Sequence, residues 1–406
     1  MTPRPAVMDR SRGQPGAARP KTDPFDSRKI CRLVPLLVEW FATNARDLPW
    51  RRTLDPYAIW VSEIMLQQTQ VKAVIPYWER WMRQFPTPTA LARAKLDQVL
   101  KLWEGLGYYT RARNLQRAAR FLVSARRGQF PSAFDEILLL PGVGRSTAGA
   151  IASIAFGQPT PILDGNVVRV LTRLFGIAED PRRKITNESL WHLSQALVSA
   201  AAAQALKPKI SDGKFRISGP SSFFNQALME LGAVTCKPRQ PQCGQCPLGG
   251  NCVAHRTGQI QAFPAFARRA PMTARKFVAL VVEHGGKWLV RQRPRGVVNA
   301  CLWEFPNAEL NGPNQDPAAV ASSLLGVKLN GLKPLTTVKH SITRYRIRLE
   351  GFRAEWRGPR VGLCSAGRWM TLGQLQDLPF ASAHRKLLRA LLPEGRQFVH
   401  PSPVLQ

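Results

Sequence analysis

The sequence has few acidic residues relative to its basic ones. Among 406 residues there are 26 Asp and Glu against 58 Lys and Arg, so the formal net charge at pH 7 is +32. A basic surplus of this size, in a chain that is 44% hydrophobic, indicates a polyanionic partner. Nucleic acid is the usual partner of this kind, and the alternative is that the charge serves only solubility.

Long apolar segments are also missing. No run approaches the roughly 20 residues that cross a bilayer, which excludes a transmembrane helix and predicts no membrane partner. The first 28 residues mix Pro, Arg, Ser and Gly without an apolar stretch. This composition excludes a secretory signal and predicts a disordered basic tail over 1–28. We therefore expect a cytoplasmic protein that works on DNA inside the cell.

Cysteine is scarce, and its placement is uneven. Four of the seven cysteines fall between residues 236 and 252. In a reducing compartment such a group indicates metal binding rather than disulfides. One pair alone has the short spacing of a zinc knuckle, which favours an iron–sulfur cluster over zinc, and a purely structural group of thiols is the third alternative. The candidate ligands are Cys236, Cys243, Cys246 and Cys252.

Residue periodicity predicts two domains. An apolar period of 3.6 residues predicts a helical domain over 29–252. Residues 253–275 lack a period and predict a linker, 276–393 mix strand and helix patterns and predict an α+β domain, and 394–406 predict a loose tail. The predicted helices are 28–45, 57–73, 77–84, 91–94, 99–106, 114–126, 148–155, 167–175, 223–234, 317–325 and 383–392. The predicted strands are 277–282, 287–292, 338–341 and 345–352.

A glycine turn and a carboxylate lie close together in the segment 140–175. Glycine permits a positive φ and close backbone approach, so the amides of the turn can face one phosphate. The turn residues are Gly142, Val143, Gly144, Arg145 and Ser146. Asp164 then stands just before a predicted helix. An ordinary helix–helix turn followed by a helix N-cap has the same pattern, so both interpretations remain open.

Two further features point to chemistry or to DNA. Glu63 lies inside an apolar helical run, where burial disfavours ionisation and raises the carboxyl pKa; the alternative is that it faces water. Tyr108 and Tyr109 follow a glycine break beside Arg111 and Arg113. Aromatic and basic side chains in this arrangement suit stacking on bases and binding of phosphates, whereas the alternative is a pair of core tyrosines.

Several blocks in order carry a resemblance to a known family. They are LPWR (48–51), SEIMLQQTQV (62–71), GLGYYTRARNL (105–115), LPGVGRSTAGAI (140–151), LDGNVVRVLTR (163–173), FNQALMELGA (224–233) and the four cysteines. Over about residues 30–390 the chain resembles the adenine DNA glycosylases of the MutY type, in the helix-hairpin-helix, endonuclease III-like superfamily. The resemblance implies a multidomain fold. An all-α helix-hairpin-helix glycosylase domain with an iron–sulfur cluster loop precedes an α+β, Nudix-like C-terminal domain that recognises 8-oxoguanine.

The resemblance also implies an activity and the residues that carry it. The expected enzyme is a monomer that flips adenine out of a mismatch with 8-oxoguanine or guanine in double-stranded DNA and hydrolyses its glycosidic bond. Glu63 matches the general acid and base, Asp164 the carboxylate that stabilises the sugar cation, and Asn166 a residue that assists them. The cysteines match ligands of a 4Fe–4S cluster. The expected contacts to bases are Arg51, Leu66 and Gln226 on the extruded adenine, and Gln68 and Tyr108 as wedges in the duplex.

The sequence departs from the family pattern at two places. Members that also cleave the strand carry a Lys where this chain has Ser146, so we expect a monofunctional glycosylase. Many relatives read Phe-Ser-His where this chain has Ile342-Thr343-Arg344. Thr343 keeps a hydroxyl for 8-oxoguanine, but Arg344 changes the donor geometry.

Three other functions are alternatives. An endonuclease III-like glycosylase and lyase is disfavoured by Ser146 and by the long C-terminal domain. A noncatalytic DNA-binding iron–sulfur protein would have the same basic surface. A nucleotide hydrolase is disfavoured because no Nudix box of carboxylates follows the Trp303–Pro306 segment, so metal ions would lack oxygen ligands.

Overall fold

The computed structural model describes residues 26–204, 215–266, 271–310, 312, 315–329, 331–342, 344–358 and 367–392. The tail predicted for 394–406, most of the tail predicted for 1–28, and Thr343 lie outside these residues. Ser27 and Arg28, which were predicted to be part of the N-terminal tail, instead begin the first helix. No helix in the described part is long and apolar enough to cross a membrane.

Helices make up the first part of the chain and share one core of buried side chains. Short 3₁₀ turns lie at Pro49–Arg51, Cys243–Gln245, Gly249–Asn251 and Ile260–Ala262, and a π-helical turn at Leu231–Thr235 extends the eleventh helix. The α-helices in this part are α1 (Ser27–Asn44), α2 (Pro56–Leu66), α3 (Val71–Gln84), α4 (Pro88–Arg93), α5 (Leu96–Leu102), α6 (Thr110–Arg126), α7 (Phe134–Leu138), α8 (Arg145–Phe156), α9 (Gly165–Phe175), α10 (Lys184–Ala203), α11 (Pro220–Glu230) and α12 (Val253–Arg256).

The prediction of one helix over 57–73 is wrong. Helix α2 ends at Leu66, and Gln68 adopts a positive φ of 56° before α3 begins at Val71. The carbonyl groups at the end of α2 accept hydrogen bonds from the guanidinium of Arg111, a residue 45 positions further along the chain from Leu66. A tertiary contact therefore ends this helix, although the local apolar pattern continues through the break.

Helix α10 was not predicted, and its position matters for the segment that carries Asp164. Its buried Leu190, Leu193 and Leu197 follow helical spacing and join the main core. The hydroxyl of Ser194 donates to the carbonyl oxygen of Ile162 at 2.7 Å, just before Asp164. Helix α10 thus supports the segment that leads into α9.

The second part is a mixed sheet with helices on both faces. Its combination of strands and helices confirms the predicted α+β class. Within the described residues the sheet has seven strands in the order β3-β2-β1-β6-β5, with β4 beside β1 and β7 beside β2. β1 and β6 are parallel, and β5 and β6 are antiparallel. The elements are β1 (Thr273–His284), β2 (Lys287–Gln292), β3 (Trp303–Glu304), β4 (Asn307–Glu309), α13 (Pro317–Leu325), β5 (Lys333–Ile342), β6 (Tyr345–Glu355), β7 (Gly367–Thr371), α14 (Leu372–Asp377) and α15 (Ser382–Arg389).

Alternate side chains of β1 enter two cores. Val281 packs with Leu387 of α15 on one face, and Val278 and Leu280 pack with Leu325 of α13 on the other. A strand covered on both faces reads as a continuous apolar run, which is why 277–282 was predicted as a strand. The structure extends that strand to Thr273–His284, so its first residues replace the end of the predicted linker.

Candidate active site

Helix α2 carries Glu63 on an otherwise apolar segment. Its neighbours Ser62, Ile64 and Met65 are buried, whereas Glu63 itself is half-buried. Burial and, to a smaller extent, the negative charge of Asp164 together raise the pKa of Glu63 to about 7, although the guanidinium of Arg51 opposes the rise. A carboxyl group with this pKa can both give and accept a proton near neutral pH.

Asp164 caps the N-terminus of α9. Its Oδ1 accepts from the backbone N–H of Val167 at 2.8 Å, and its Oδ2 accepts from the Asn166 side-chain amide at 3.3 Å. Burial raises the pKa of Asp164, while the N–H groups of Val167 and Asn166 and the charge of Arg169 oppose that rise. The helix terminus therefore favours the ionised form, but it does not fully offset the effect of burial.

The glycine turn has the geometry that its residues require. Gly142 has a φ of 81°, and a Cβ there would lie 2.6 Å from the side chain of Asn114, so only glycine fits. Helix α8 begins at Arg145, earlier than the predicted residue 148. The hydroxyl of Ser146 accepts from the N–H of Leu163 at 3.2 Å. This bond ties the turn to the segment that carries Asp164.

Arg51, which the resemblance places on the extruded adenine, is almost fully buried. It donates to Glu230 Oε2 at 3.0 Å and to the carbonyl oxygen of Arg46 at 3.0 Å. Arg46 also donates to Glu230 at 2.7 Å. Burial raises the pKa of Glu230, but the hydrogen bonds and charges of Arg46 and Arg51 outweigh it and lower that pKa to about 2.

The two other residues expected to contact adenine lie on different helices. Leu66 is the last residue of α2 and is half-buried, whereas Gln226 is buried on α11. The amide of Gln226 donates to the hydroxyl of Ser222 at 3.3 Å. Its neighbour Asn225 donates to Ser153 and to the carbonyl oxygen of Thr160, both at 2.9 Å, and so joins α11 to α8.

Gln68 and Tyr108, the expected wedge residues, line one cavity of about 220 Å³ together with Gly142 of the glycine turn. Both wedge side chains are exposed, and both residues have a positive φ, 56° and 47°. Tyr109, by contrast, is 3% exposed and belongs to the core. Of the two adjacent tyrosines, therefore, only Tyr108 is exposed and available to stack on bases.

The interpretation of Arg111 as a phosphate-binding residue is wrong. Its side chain is buried, and its terminal nitrogens donate to backbone carbonyl oxygens of the protein. Of the segment expected to recognise 8-oxoguanine, Thr343 lies outside the described residues. Arg344 donates to the hydroxyl of Tyr345 at 3.0 Å.

Comparison with known proteins identifies the family. The profile described as "HhH-GPD superfamily base excision DNA repair protein" matches residues 61–196, and that of the NUDIX domain matches residues 277–390. The adenine DNA glycosylase of Rattus norvegicus is 35% identical over 87% of this chain and 76% of its own length. That of Homo sapiens is 35% identical over 89% of this chain and 74% of its own length. The chain belongs to the adenine DNA glycosylase family. The enzyme of Buchnera aphidicola from Schizaphis graminum is 34% identical over 67% of this chain and 74% of its own length.

In this adenine DNA glycosylase family member, hydrogen bonds join Asp164 to the cysteine loop. Asn166 donates to Asp164 and accepts from Arg169 Nη2 at 2.8 Å. Arg169 also donates to the carbonyl oxygens of Cys236 and Gly232, both at 2.8 Å. A displacement of the cysteine loop would therefore reach Asp164 through two side chains.

The four cysteines lie around one cavity. All four are free thiols, and together with Arg173 they line that cavity. Arg173 Nη1 lies 3.5 Å from Cys236 Sγ, so a positive charge borders this group of thiols. Zinc would require its sulfur ligands about 2.3 Å from one ion. Among the described residues, no group of three or more potential ligands could hold a single metal ion. Four thiol groups around one cavity are the kind of donor set that an iron–sulfur cluster uses.

Several residues of the site were missed at the sequence level. Arg169 and Arg173 stand four residues apart on the apolar helix α9, and both are buried. Basic residues at this spacing within an apolar helix indicate buried hydrogen-bond acceptors nearby. Glu230 had no such local signal, and neither did the structural role of Arg111, because their partners lie far away in sequence.

Proposed function

We propose that the chain removes adenine from double-stranded DNA in which the adenine lies opposite 8-oxoguanine or guanine. The observation that carries the proposal is the pairing of Glu63, whose pKa is raised to about 7, with Asp164 close enough for its charge to contribute to that rise. Family membership supports the same reaction, because the relatives matched over most of this chain are named adenine DNA glycosylases.

Glu63 is the general acid and base. Its carboxyl proton moves to a ring nitrogen of adenine as the bond between the base and the sugar C1′ breaks, and the bonding electrons leave with the base. Asp164 in its carboxylate form stabilises the oxocarbenium cation. Water then attacks C1′, and its proton returns to Glu63. Asn166 keeps Asp164 oriented, while Arg51, Leu66 and Gln226 contact the extruded base.

The reaction ends at the abasic sugar. A lyase step needs an amine that forms a Schiff base with C1′. At the corresponding position this chain has Ser146, whose hydroxyl instead accepts a hydrogen bond from Leu163. The amides of residues 142–146 bind a DNA phosphate, and the net charge of +32 supports contacts along the duplex.

The remaining parts support this reaction. Cys236, Cys243, Cys246 and Cys252 hold a 4Fe–4S cluster, which supplies a rigid fold for the loop that they share. Residues 29–252 form the glycosylase domain, 253–275 lead into the second domain, and 276–393 recognise the base opposite adenine, with Thr343 among its contacts.

The test is single-turnover adenine release from duplexes with one adenine opposite 8-oxoguanine or guanine. We expect Glu63→Gln to bind the duplex normally and to release adenine at least ~100-fold more slowly than the wild type. Equal rates for the two proteins would show that Glu63 is not the acid. Equal rates on the two duplexes would exclude 8-oxoguanine recognition.

Borohydride separates the monofunctional proposal from a lyase. Reduction traps a Schiff base as a stable protein–DNA adduct, and we expect almost none here because of Ser146. Efficient trapping would instead place this chain with the glycosylase-lyases. If this protein releases adenine from neither duplex, the result would support the noncatalytic alternative.

A further inference from the structure

Arg111 lies between the two loops that carry Gln68 and Tyr108 and contacts both of them. It is the second residue of α6, its side chain is buried, and it lines the cavity that these two residues share. We infer that Arg111 is a positioning residue that holds both wedge loops, and the end of the helix bearing Glu63, in the shape that extrudes adenine. The inference rests on the proposed function.

The two terminal nitrogens of Arg111 divide their contacts between the loops. Nη1 donates to the carbonyl oxygens of Ile64, Met65 and Gln67 at 2.9, 3.0 and 2.5 Å. These carbonyls belong to the end of α2, where the helix itself supplies no donors. The Ile64 and Met65 acceptors follow Glu63 directly in the chain. Arg111 thus fixes the C-terminal end of the catalytic helix.

The second nitrogen reaches the other loop. Arg111 Nη2 donates to the carbonyl oxygens of Leu106 and Gly107, both at 3.2 Å, and to the hydroxyl of Thr69 at 3.3 Å. The guanidinium also lies 5.6 Å from the centre of the Tyr108 ring. One planar cation therefore joins two loops that are separated in sequence by helices α3, α4 and α5.

Backbone conformation shows why such a support is required. Gln68 and Tyr108 adopt the left-handed region, which is unfavourable for residues with a Cβ and persists only where surrounding contacts impose it. Each lies directly after a residue whose carbonyl accepts from Arg111, Gln67 and Gly107 respectively. Because both terminal nitrogens are engaged with protein oxygens, the side chain serves the loops rather than a phosphate.

The experiment compares wild type with Arg111→Lys, which keeps the charge but cannot reach both loops with two planar nitrogens. The matched control is Arg120→Lys, because Arg120 lies on the same helix, is exposed and donates only to the carbonyl oxygen of Ala92 among the contacts described. Three quantities are measured with the duplex of adenine and 8-oxoguanine. They are duplex affinity, single-turnover adenine release, and the fluorescence of 2-aminopurine in place of the target adenine, which rises when that base leaves the stack.

We expect Arg111→Lys to lose the fluorescence rise and to release adenine on the order of 100-fold more slowly, because a small misplacement of a positioning group has an effect of this size. Duplex affinity and melting temperature should stay close to those of Arg120→Lys. A normal fluorescence rise in Arg111→Lys would overturn the inference. So would a parallel loss of affinity, melting temperature and extrusion, since that pattern belongs to a purely structural residue. If the wild type releases no adenine, the proposed function itself fails, and the Arg111 inference fails with it.

Discussion

Three carboxyl groups near the site differ mainly in their partners. Glu230 is buried between two arginines, and its pKa falls to about 2. Glu63 faces the negative charge of Asp164, and Arg51, whose charge lowers the pKa of Glu63, is already paired with Glu230. Arg51 thus helps to stabilise the Glu230 carboxylate, and Glu63, which has no ion pair of its own among the described residues, can carry a proton. The same burial would have no catalytic value if Glu63 had its own ion pair.

The raised pKa of Glu63 predicts a gain in stability from Glu63→Gln. The folded-state pKa of about 7 exceeds the ordinary value of 4.5. Above pH 7 the group is ionised in both states, so the folded state bears the cost of a poorly solvated carboxylate. Below about pH 4.5 it is neutral in both, and the cost vanishes. We expect Glu63→Gln to be more stable by about 1 to 3 kcal/mol at pH 8, with almost no difference at pH 4.

Urea unfolding of both proteins at the two pH values measures this difference. A difference that is largest at pH 4, or a less stable variant at pH 8, would contradict the account of Glu63. The catalytic rate should show the complementary effect. Adenine release by the wild type should fall as pH rises above about 7, because the proton on Glu63 is lost.

At the scale of elements, helix α9 connects Asp164 to the cysteine loop. Its N-cap is Asp164, and Arg169 and Arg173 on its inner face donate to carbonyl oxygens of the loop that begins at Cys236. The π-helical turn after α11 brings Gly232 against Asn166. Such turns are frequent at functional sites because they shift the backbone locally.

Gly232→Ala tests this contact. A Cβ at Gly232 would lie 2.7 Å from Asn166 Cβ and 3.2 Å from its carbonyl oxygen, so Asn166 must move and Asp164 with it. We expect adenine release to fall by about 10- to 100-fold in single-turnover assays. The control is Gly250→Ala in the same region, where a Cβ meets no atom within 4 Å. Equal rates for the two variants would show that Asn166 does not transmit the displacement.

Much of the helical framework could be predicted from the sequence, because burial follows helical spacing in elements such as α1. The candidate carboxylates were also visible, since Glu63 interrupts an apolar run and Asp164 precedes a helix. Contacts between distant segments were not visible. The break after Leu66 and the burial of Arg111 both depend on hydrogen bonds between α2 and α6, and no local pattern encodes such bonds.

At the scale of the whole molecule, the second domain contacts the loop that bears Tyr108. Arg385 of α15 donates to both carboxylate oxygens of Glu104, at 2.6 and 2.9 Å. Glu104 directly precedes the loop that starts at Gly105, and its carbonyl oxygen accepts from the hydroxyl of Tyr77 at 2.8 Å. Arg113, near the start of α6, donates to the carbonyl oxygen of Ala300 at 2.7 Å. The C-terminal domain is thereby fixed beside the loop that bears Tyr108.

Arg385→Gln should separate recognition of the opposite base from base removal itself. Its removal leaves Glu104 without its bidentate partner, and the loop of Tyr108 loses one of its connections to the second domain, although Phe380 N–H still donates to Glu104. Because coupling between sites is typically worth 0.5 to 2 kcal/mol, we expect the ratio of adenine release opposite 8-oxoguanine to that opposite guanine to fall by about tenfold. Lys386→Gln is the matched control, because Lys386 is the exposed neighbour on the same helix. Single-turnover rates on both duplexes measure the ratio. If Arg385→Gln slows both reactions equally, the contact between Arg385 and Glu104 stabilises the fold but does not contribute to discrimination between the opposite bases.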